Sequence, residues 1–334
     1  MSQSYDLSIH VPVYNREETI EKCINSIINQ TFQEFDLYIH DDCSTDNTLN
    51  ILKKMNKDKK FKIISNPYNL GLYGNFNNIL EKVNTKYFAI FHSDEEYNKD
   101  IIKDEYFFLK NQDVSVVFSN GYFDIGNVKK QVIPNSVFRT GKNVYNFDEV
   151  FNLTLKYFNF FICSTAMFKR DIISKVGNFD EKFGMSLDLD MWFRLLEIKP
   201  VGIINKNLVV QNLKTSASYV EFKKDTPNDF FLVIDKIIKE KYNNKLNREQ
   251  YINYKILKMR DNSRILFHLF KNNEFLKLKQ NLKKIDFFFT IKYFYFSRKC
   301  IVILLTYISI FLFLKFKIIK LPKILLEYIY NRVS

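Results

Sequence analysis

Glycine is scarce in this sequence, with 8 residues among 334, well below the ~7% of an average globular protein. Collagen-like, glycine-linker and low-complexity proteins are therefore excluded. Neither a GxxxxGK(S/T) loop nor a GxGxxG motif is present, so the sequence does not support a P-loop or dinucleotide-binding protein. The four cysteines are far apart and form no CxxC pair, which argues against a zinc knuckle or a disulfide framework.

The excess of positive charge lies in one part of the chain. Lys and Arg exceed Asp and Glu by 13 overall. Residues 225–334 contain 22 basic and 9 acidic residues, whereas residues 1–224 contain 28 of each. This distribution is not typical of a uniformly basic nucleic-acid-binding protein. The first six residues lack the features of a signal peptide, so we expect an unexported protein in a reducing compartment.

Short apolar strands alternate with helices in the first half of the chain. The predicted strands are Leu7–Val13, Phe35–His40, Phe61–Ile64, Tyr87–Phe91 and Val114–Phe118. Apolar residues at helical spacing between them predict helices around Ile24, up to about Met55, and over Tyr73–Val83. Continuous apolar strands separated by helices indicate an α/β protein with a mostly parallel sheet covered on both faces. His10 and His40 lie in strand patterns and are interpreted as satisfied core groups.

Polar residues follow three of these strands. Tyr14 and Asn15 come after the first strand, Asp42 after the second, and Asp94 and Glu95 after the fourth. Because parallel α/β sheets bind ligands beyond the carboxyl ends of their strands, we expect a site at this edge. Carboxylates at Asp94 and Glu95 suit a divalent cation that neutralises a leaving diphosphate. The alternative is a helix cap or a solvated loop.

Asp42 suits recognition of a nucleobase. Its carboxylate can accept a hydrogen bond from a base N–H, while Tyr14 on the neighbouring strand offers a ring for stacking. The alternative is capping of the following helix by the Asp/Ser/Thr cluster of residues 41–48.

Asp188 suits the role of a general base. In the run DLDMWFRL (188–195), Asp188 lies near a helix N-terminus, on the same face as Trp192. A carboxylate beside an aromatic wall is suited to proton removal from a sugar hydroxyl. The alternative is a helix-start acid, with Asp190 and Arg194 as an i,i+4 ion pair.

Five sequence blocks together resemble one known family. The blocks are VPVYN (11–15), DDCSTDNT (41–48), NLG (69–71) with Asn77, FHSDEE (91–96), and GNFDEKF…DLDMWFRL (177–195). In this order and spacing, the chain resembles family 2 glycosyltransferases with the GT-A fold over about residues 5–220. The resemblance implies a nucleotide-sugar-dependent, inverting transferase.

The resemblance also implies a role for each matched residue. Asp188 would deprotonate the acceptor hydroxyl for in-line displacement at the anomeric carbon. Asp94, with Glu95, would hold Mn²⁺ or Mg²⁺ on the donor diphosphate. The donor nucleotide would be bound by Pro12, Tyr14, Asn15, Asp42, Asn69, Gly71, Asn77 and Ser93.

Several positions depart from the family pattern. His92 replaces the first acid of the D-x-D motif, and Leu187 stands where an acid usually precedes the base. Phe76 replaces a common Arg, and Leu213 replaces a late phosphate- or metal-binding His. The donor phosphates thus have fewer partners than usual, which leaves three explanations open: a weakly held metal, reliance on Glu95 and on unassigned groups, or a lapsed active site.

The C-terminal third divides into a basic helical region, residues 225–284, and an aromatic, basic and apolar tail, residues 285–334. The uncharged run 300–314 has 15 residues, or about 22 Å as a helix, against a hydrocarbon core of about 30 Å. It is therefore interpreted as a membrane-surface anchor. A buried helical subdomain is the alternative, and a nucleic-acid patch is disfavoured because no binding module accompanies it.

Together these observations predict the following function. Residues 1–224 would be a GT-A catalytic domain that transfers one sugar from a UDP-sugar or similar donor to a hydroxyl of a surface glycan or lipid-linked saccharide. The basic tail would hold it at an anionic membrane surface, on the cytoplasmic face of the inner membrane. No nucleic-acid partner is expected. The alternative is a non-catalytic GT-A-like subunit that binds a glycan or scaffolds a membrane complex.

Overall fold

The structure is a computed structural model, and it describes residues 5–124, 129–133, 141–212, 226–293 and 298–316. The chain divides into two compact units. The first comprises Met1–Leu153 and Asn159–Ser216, and the second Thr154–Phe158 and Ala217–Ser334. The predicted domain boundary at residue 224 lies outside the described residues, as does Leu213.

A single mixed sheet forms the centre of the first unit. Its described strands are β1 (Leu7–Val13), β2 (Asp36–Asp41), β3 (Lys62–Ser65), β4 (Tyr87–Ile90), β5 (Glu96–Tyr97), β6 (Val116–Asp124), β7 (Lys129–Gln131), β8 (Val144–Tyr145), β9 (Met167–Lys169) and β10 (Val201–Asn212). The order is β3-β2-β1-β4-β9-β6-β10-β5. The first four strands are mutually parallel, and so are β6 and β10. Strands β9 and β5 run antiparallel to their neighbours.

Helices connect these strands and build the second unit. The first unit contains α1 (Ile20–Ile28), α2 (Thr48–Met55), α3 (Gly71–Lys82), α4 (Ile101–Asn111), α6 (Arg170–Val176) and α7 (Leu187–Leu196), and α5 (Phe147–Tyr157) runs into the second unit. The second unit also contains α8 (Phe230–Glu240), α9 (Arg248–Lys271), α10 (Phe275–Leu282), α11 (Phe287–Lys292) and α12 (Arg298–Phe316). The predicted α/β class with a C-terminal helical region is confirmed.

Burial on both faces fixes the position of β1 at the centre of the parallel strands. Leu7, Ile9 and Val11 are fully buried on one face, where α1 packs Ile20 and Ile24 against the same core, and Ser8 and His10 are buried on the other face. Each such aliphatic side chain contributes about 1.5–3 kcal/mol through removal from water. The end of β1, from which the polar residues of the site emerge, is therefore held firmly.

The second unit has its own apolar core. Helix α9 begins with a capping box in which Asn247 and Gln250 bond each other's backbone N–H groups. Core residues of four helices pack together: Ile256, Met259, Leu266, Leu278, Phe289, Ile303 and Ile310. The uncharged run at 300–314 thus contributes α12 to a helical core. Among the described residues, no helix has the length and apolarity that a membrane crossing requires.

A chain of buried hydrogen bonds links β1, β2 and the start of β4. The Thr85 hydroxyl donates to the Tyr87 carbonyl at 2.9 Å, so the Ser8 hydroxyl must donate to Thr85 at 2.6 Å. His10 Nε2–H then donates to Ser8 at 2.8 Å, and His40 Nε2–H donates to His10 Nδ1 at 2.9 Å. This assigns His40 Nδ1 as unprotonated, and it has no partner among the described residues. His10 is satisfied as predicted, whereas His40 is satisfied at only one nitrogen.

This arrangement predicts that the first unit loses stability in mild acid. Burial is the main reason that the pKa of His40 falls from 6.5 to about 4. As the pH falls from 6.5 to about 4, His40 therefore becomes protonated in the unfolded chain but stays neutral in the folded protein. We expect a loss of about 3 kcal/mol across this window. His40→Gln, which keeps an ε-nitrogen donor, should reduce the pH dependence of the unfolding midpoint measured by circular dichroism, and the remainder is expected from His10, whose pKa is also lowered by burial. An unchanged slope in His40→Gln would contradict this explanation; His268→Gln, in the other unit, is the control.

Candidate functional site

The predicted site residues meet at one edge of the sheet. Strand β1 pairs in parallel with both β2 and β4, so the loops after all three strands leave the sheet on the same side. Tyr14 follows β1 with 42% of its surface exposed, while Asp42 follows β2 and is buried. Asp94 and Glu95 follow β4. This edge therefore combines an exposed ring with several carboxylates.

The Asp42 carboxylate is held by one of its oxygens. Oδ1 accepts hydrogen bonds from Asn66 Nδ2 at 2.8 Å and from the Leu70 backbone N–H at 2.9 Å. Within the described residues, no hydrogen bond involves Oδ2, which leaves an acceptor for a ligand N–H. Sequence reasoning missed Asn66, although it directly follows β3 and the strand-end rule that found Asp42 applies to it equally.

Two predicted nucleotide-binding asparagines use their side chains to shape loops. Asn15, in a left-handed conformation with φ of 50°, accepts a hydrogen bond from the Thr45 N–H at 2.9 Å. Asn69 Oδ1 accepts from the Gly71 N–H at 2.7 Å, and Gly71 has a φ of 72° that favours glycine. These amides hold the loops after β1 and β3 in place. Any contact they make with a nucleotide has to come from their remaining polar atoms or backbone.

Pro12 and Ser93 are less accessible than Tyr14. Pro12 is half-buried within β1, where its ring replaces a backbone donor. Ser93 is buried, and its carbonyl accepts a hydrogen bond from the Thr19 hydroxyl at 3.1 Å. Both residues therefore contribute mostly to the interior of this sheet edge and less to its exposed surface.

His92, Asp94 and Glu95 form a cluster of potential metal ligands. One ligand atom from each lies within 4.8 Å of the others. Glu95 is buried, and it accepts hydrogen bonds from the Ser164 hydroxyl and from Gln211 Nε2, the latter at 2.8 Å. His92 Nε2 is buried without a hydrogen-bond partner among the described residues. One nitrogen and two carboxylates are a donor set that fits a divalent cation.

The His92 backbone and ring are both constrained. Its N–H donates to the Tyr97 hydroxyl at 2.6 Å, and its carbonyl accepts from Cys23 Sγ at 3.3 Å. Burial lowers the pKa of His92, but the neighbouring Cys163 and Glu95 together raise it well above 6.5. The Nδ1 atom lies 3.5 Å from Glu95 Oε1. The position of the missing D-x-D acid is therefore occupied by a fixed imidazole that Glu95 stabilises in its charged form.

Asp188 lies at the start of α7 in an environment suited to accepting a proton. Its Oδ1 accepts a hydrogen bond from the Leu189 N–H at 2.7 Å. Burial raises the pKa of Asp188 to about 6, against the opposing effects of this hydrogen bond and of the His92 charge. The charge of His92 therefore acts electrostatically on the candidate base. A carboxylate with a pKa near neutrality is an effective general base.

Trp192, predicted to form an aromatic wall beside Asp188, has no exposed surface. Trp192 is fully buried, and its ring meets Phe118 edge-on with centroids 4.8 Å apart. Helical spacing indicated the shared face correctly, but that face of α7 packs into the core. The alternative ion pair is present, since Arg194 Nε lies 2.7 Å from Asp190 Oδ2.

Asn77 joins α3 to the segment that precedes α7. Its Nδ2 donates to the Phe179 carbonyl at 3.1 Å, and its Oδ1 accepts from the Phe179 N–H at 2.9 Å. Phe76, at the position of a common family Arg, is buried with its ring 6.0 Å from that of His92. The Asn77 side chain therefore links α3 through two hydrogen bonds to the segment that carries Asp188. Phe76, unlike an Arg, offers no positive charge to a phosphate.

Removing the Asn77–Phe179 hydrogen bonds should destabilise the first unit. Asn77→Ala deletes both hydrogen bonds and leaves the Phe179 backbone groups without these partners, which should cost about 1–3 kcal/mol of unfolding free energy. Urea unfolding measures the change. Asn50→Ala, which removes one exposed, local hydrogen bond to Asn47, is the control and should cost less than about 0.5 kcal/mol. Equal losses of unfolding free energy in the two variants would show that the Asn77–Phe179 hydrogen bonds do not stabilise the first unit.

The fold and site geometry agree with the comparison to protein families. The sequence profile of Glycosyl transferase family 2 matches residues 8–177, about half of the chain. The protein therefore belongs to glycosyl transferase family 2, a family of glycosyltransferase enzymes, and the resemblance seen in the sequence is confirmed.

Three of the similar proteins are bacterial. The chain is 28% identical over 218 residues to the Escherichia coli UDP-Glc:alpha-D-GlcNAc-diphosphoundecaprenol beta-1,3-glucosyltransferase WfaP, covering 65% of this chain and 80% of that protein. It is 36% identical over 136 residues to an uncharacterized Haemophilus influenzae glycosyltransferase, covering 40% of this chain and 42% of that one. It is 27% identical over 256 residues to the chondroitin synthase of Pasteurella multocida, covering 74% of this chain but only 24% of that enzyme.

Solved structures share the fold. The S. aureus TarS 1-349 complex with UDP-GlcNAc superposes with a TM-score of 0.52 at 18% identity, covering 78% of this chain and 83% of that one. The mannosyltransferase PcManGT from Pyrobaculum calidifontis, in complex with GDP-Man and Mn²⁺, gives 0.51 at 12% identity, covering 99% and 81%. These likenesses confirm the GT-A fold.

Proposed function

We propose that the protein transfers a single sugar from a UDP-sugar to a hydroxyl of a lipid-linked or surface saccharide, with inversion at the anomeric carbon. The observation that carries this proposal is Asp188, a carboxylate with a pKa of about 6 on which His92, a member of the cluster after β4, acts electrostatically. The names of two relatives support the substrate classes: WfaP uses UDP-Glc and a diphosphoundecaprenol-linked acceptor, and TarS binds UDP-GlcNAc.

The donor nucleotide would bind where β1 and β2 end. Asp42 Oδ2 would accept a hydrogen bond from the base N–H, since Oδ1 is already held by the protein. The exposed Tyr14 ring would stack on the base, a contact that suits its 42% exposure. Asn15 and Asn69 would keep the flanking loops in the shape that this contact needs.

The donor diphosphate would lie beside the cluster after β4. His92, Asp94 and Glu95 would hold a divalent cation, which supplies charge neutralisation for the leaving diphosphate. Arg16 offers a further positive group, because its Nε lies 3.9 Å from Asp94 Oδ2 and part of its side chain is exposed. Arg16 is thus a candidate for the unassigned phosphate partner.

Asp188 would act as the base. Its carboxylate would take the proton of the acceptor hydroxyl as the hydroxyl oxygen attacks the anomeric carbon, and the nucleoside diphosphate would leave from the opposite face. At pH 7 a group with a pKa of about 6 is mostly ionised and ready to accept this proton.

The two aspartates should fail in different ways when substituted. Asp188→Asn removes the proton acceptor, so we expect kcat to fall by about 10²–10⁴-fold while donor affinity stays nearly unchanged. Asp42→Ala should instead weaken donor binding. In the wild type, kcat/KM should decline as the pH falls below about 6, because Asp188 becomes protonated. UDP release from a panel of UDP-sugars and calorimetric binding of UDP measure these effects.

Two outcomes would contradict these assignments. Full turnover by Asp188→Asn would show that another group is the base. Absence of both transfer and nucleotide binding in the wild type, with Mn²⁺ or Mg²⁺ present, would instead favour the non-catalytic glycan-binding or scaffold subunit. The departures at His92 and Phe76 motivate that alternative.

The second unit would hold the enzyme at an anionic membrane surface. Phe288 on α11 is 83% exposed, Ile291 lies one turn further on the same helix, and Ile308 on α12 is exposed as well. Lysines around α11, including Lys284 and Lys292, are exposed. Apolar side chains flanked by positive charge complement a surface of acidic lipids, where the lipid part of the acceptor would reside.

Vesicle sedimentation tests this membrane contact. The full-length protein should bind vesicles that contain phosphatidylglycerol and bind pure phosphatidylcholine vesicles weakly. Phe288→Ser should reduce binding about tenfold or more, since burial of a Phe side chain is worth about 2 kcal/mol. Leu232→Ser, on the half-exposed face of α8, is the control and should bind like the wild type. Equal binding by all three proteins, or equal binding to both vesicle types, would refute the proposed surface.

A further inference from the structure

We infer that His92 makes the cation site selective for first-row transition metals over Mg²⁺. The inference rests on the proposed function, because it concerns the cation that would accompany the donor diphosphate. It assigns a task to the residue at which this chain departs from the family's D-x-D motif. His92 becomes the residue that decides which metal the site accepts.

The geometry supports three ligands of two chemical kinds. One ligand atom each of His92, Asp94 and Glu95 lies within 4.8 Å of the others, so a single ion can contact all three. The Nδ1 atom of His92 lies 3.5 Å from Glu95 Oε1, so this edge of the ring faces the cluster. An imidazole nitrogen therefore takes the place that a carboxylate oxygen would occupy in D-x-D.

Neighbouring groups hold the backbone of His92 and confine its ring on one side. The Tyr97 hydroxyl and the Cys23 thiol hold its backbone N–H and carbonyl. The Phe76 ring lies 6.0 Å from the imidazole and limits rotation on one side. A ligand that is fixed before metal binding contributes its full affinity, because little side-chain entropy is lost on binding.

Ligand chemistry then determines the selectivity. Mg²⁺ prefers oxygen ligands in near-ideal octahedral geometry, and it gains little from an imidazole. Affinity for nitrogen-containing sites rises along the first transition row from Mn²⁺ through Co²⁺. Loss of one negative charge weakens the attraction for every divalent ion alike, whereas the nitrogen ligand compensates only the transition metals. The site should therefore favour Mn²⁺ and Co²⁺.

Two neighbouring groups modulate metal affinity without changing this ranking. Glu95 lies 3.5 Å from His92 and stabilises the protonated ring in the metal-free protein, so a metal must displace that proton. Arg16 lies 3.9 Å from Asp94 and opposes any cation there. The repulsion from Arg16 acts on Mg²⁺ and Mn²⁺ alike, whereas the proton has to leave only when a metal binds the imidazole nitrogen, a step that the stronger nitrogen affinity of Mn²⁺ favours. Glu95 itself is kept in place by Ser164 and Gln211.

The test measures metal binding directly, with UDP present and with no requirement for turnover. Loss of the free Mn²⁺ signal in electron paramagnetic resonance gives the Mn²⁺ Kd of the full-length protein, and competition gives the Kd for Mg²⁺. The proteins compared are the wild type, His92→Ala and His92→Asp. Glu96→Gln is the control, because Glu96 follows the cluster in sequence, is more exposed, and pairs with Lys22.

The inference predicts a specific change in the ratio of the two Kd values. His92→Ala should weaken Mn²⁺ binding at least about tenfold and change Mg²⁺ binding by less than about threefold. His92→Asp should tighten Mg²⁺ binding and so reduce the preference for Mn²⁺. Glu96→Gln should match the wild type. Circular dichroism of each variant confirms that folding is retained.

Two results would overturn the inference. One is an unchanged Mn²⁺/Mg²⁺ ratio in His92→Ala and His92→Asp. The other is no metal binding by the wild type although UDP binds and sugar transfer continues with a chelator, which would make His92 a fixed cation instead of a ligand. In both cases the proposed transferase function stands. A different result would contradict the transferase function itself: a wild-type protein that binds no UDP and releases none from UDP-sugars.

Discussion

The parallel pairing of β1 with β2 and β4 is the constraint on which the site depends. Parallel neighbours end on the same side of a sheet, so residues far apart in sequence are delivered to one edge. Tyr14, Asp42 and Asp94 meet there because their strands share direction and register. Burial of β1 on both faces makes this register costly to change, since a slip by one residue would move its apolar side chains out of position.

Burial at this edge also determines the charge and the basicity of its ionisable side chains. Glu95 is removed from water and held by two hydrogen bonds, and it in turn stabilises charge on His92. Asp188, also shielded from water, acquires a pKa of about 6. The three groups are therefore coupled: a change in the charge of His92 alters the basicity of Asp188. The same sheet edge that would bind the donor phosphates thus influences the group that would activate the acceptor.

Sequence patterns predicted the parallel part of this fold well, because its strands are short segments rich in apolar residues, and β1 and β4 are buried along almost their whole length. Strand β5 has two residues and β7 has three, and such short segments carry no periodic signal. The burial of Trp192 could not be predicted from the sequence either, since helical spacing shows which residues share a face but not what covers that face. The strand-end rule located Asp42 and Asp94, and it also covers Asn66, which follows β3, but only coordinates show that Asn66 and Arg16 are their partners. The basicity of Asp188 depends on burial and on His92, a distant residue in sequence, so no local pattern could have indicated it.

The central claim is that this sheet edge binds a nucleotide-sugar through its base, and saturation-transfer difference NMR of UDP with the full-length protein tests it most directly. The stacking role of Tyr14 predicts strong saturation transfer to the uracil protons, with a clear reduction in Asp42→Ala. Absence of saturation transfer from the wild-type protein to UDP, at ligand concentrations in excess of the protein and with Mn²⁺ replaced by diamagnetic Mg²⁺ or Zn²⁺, would contradict the account.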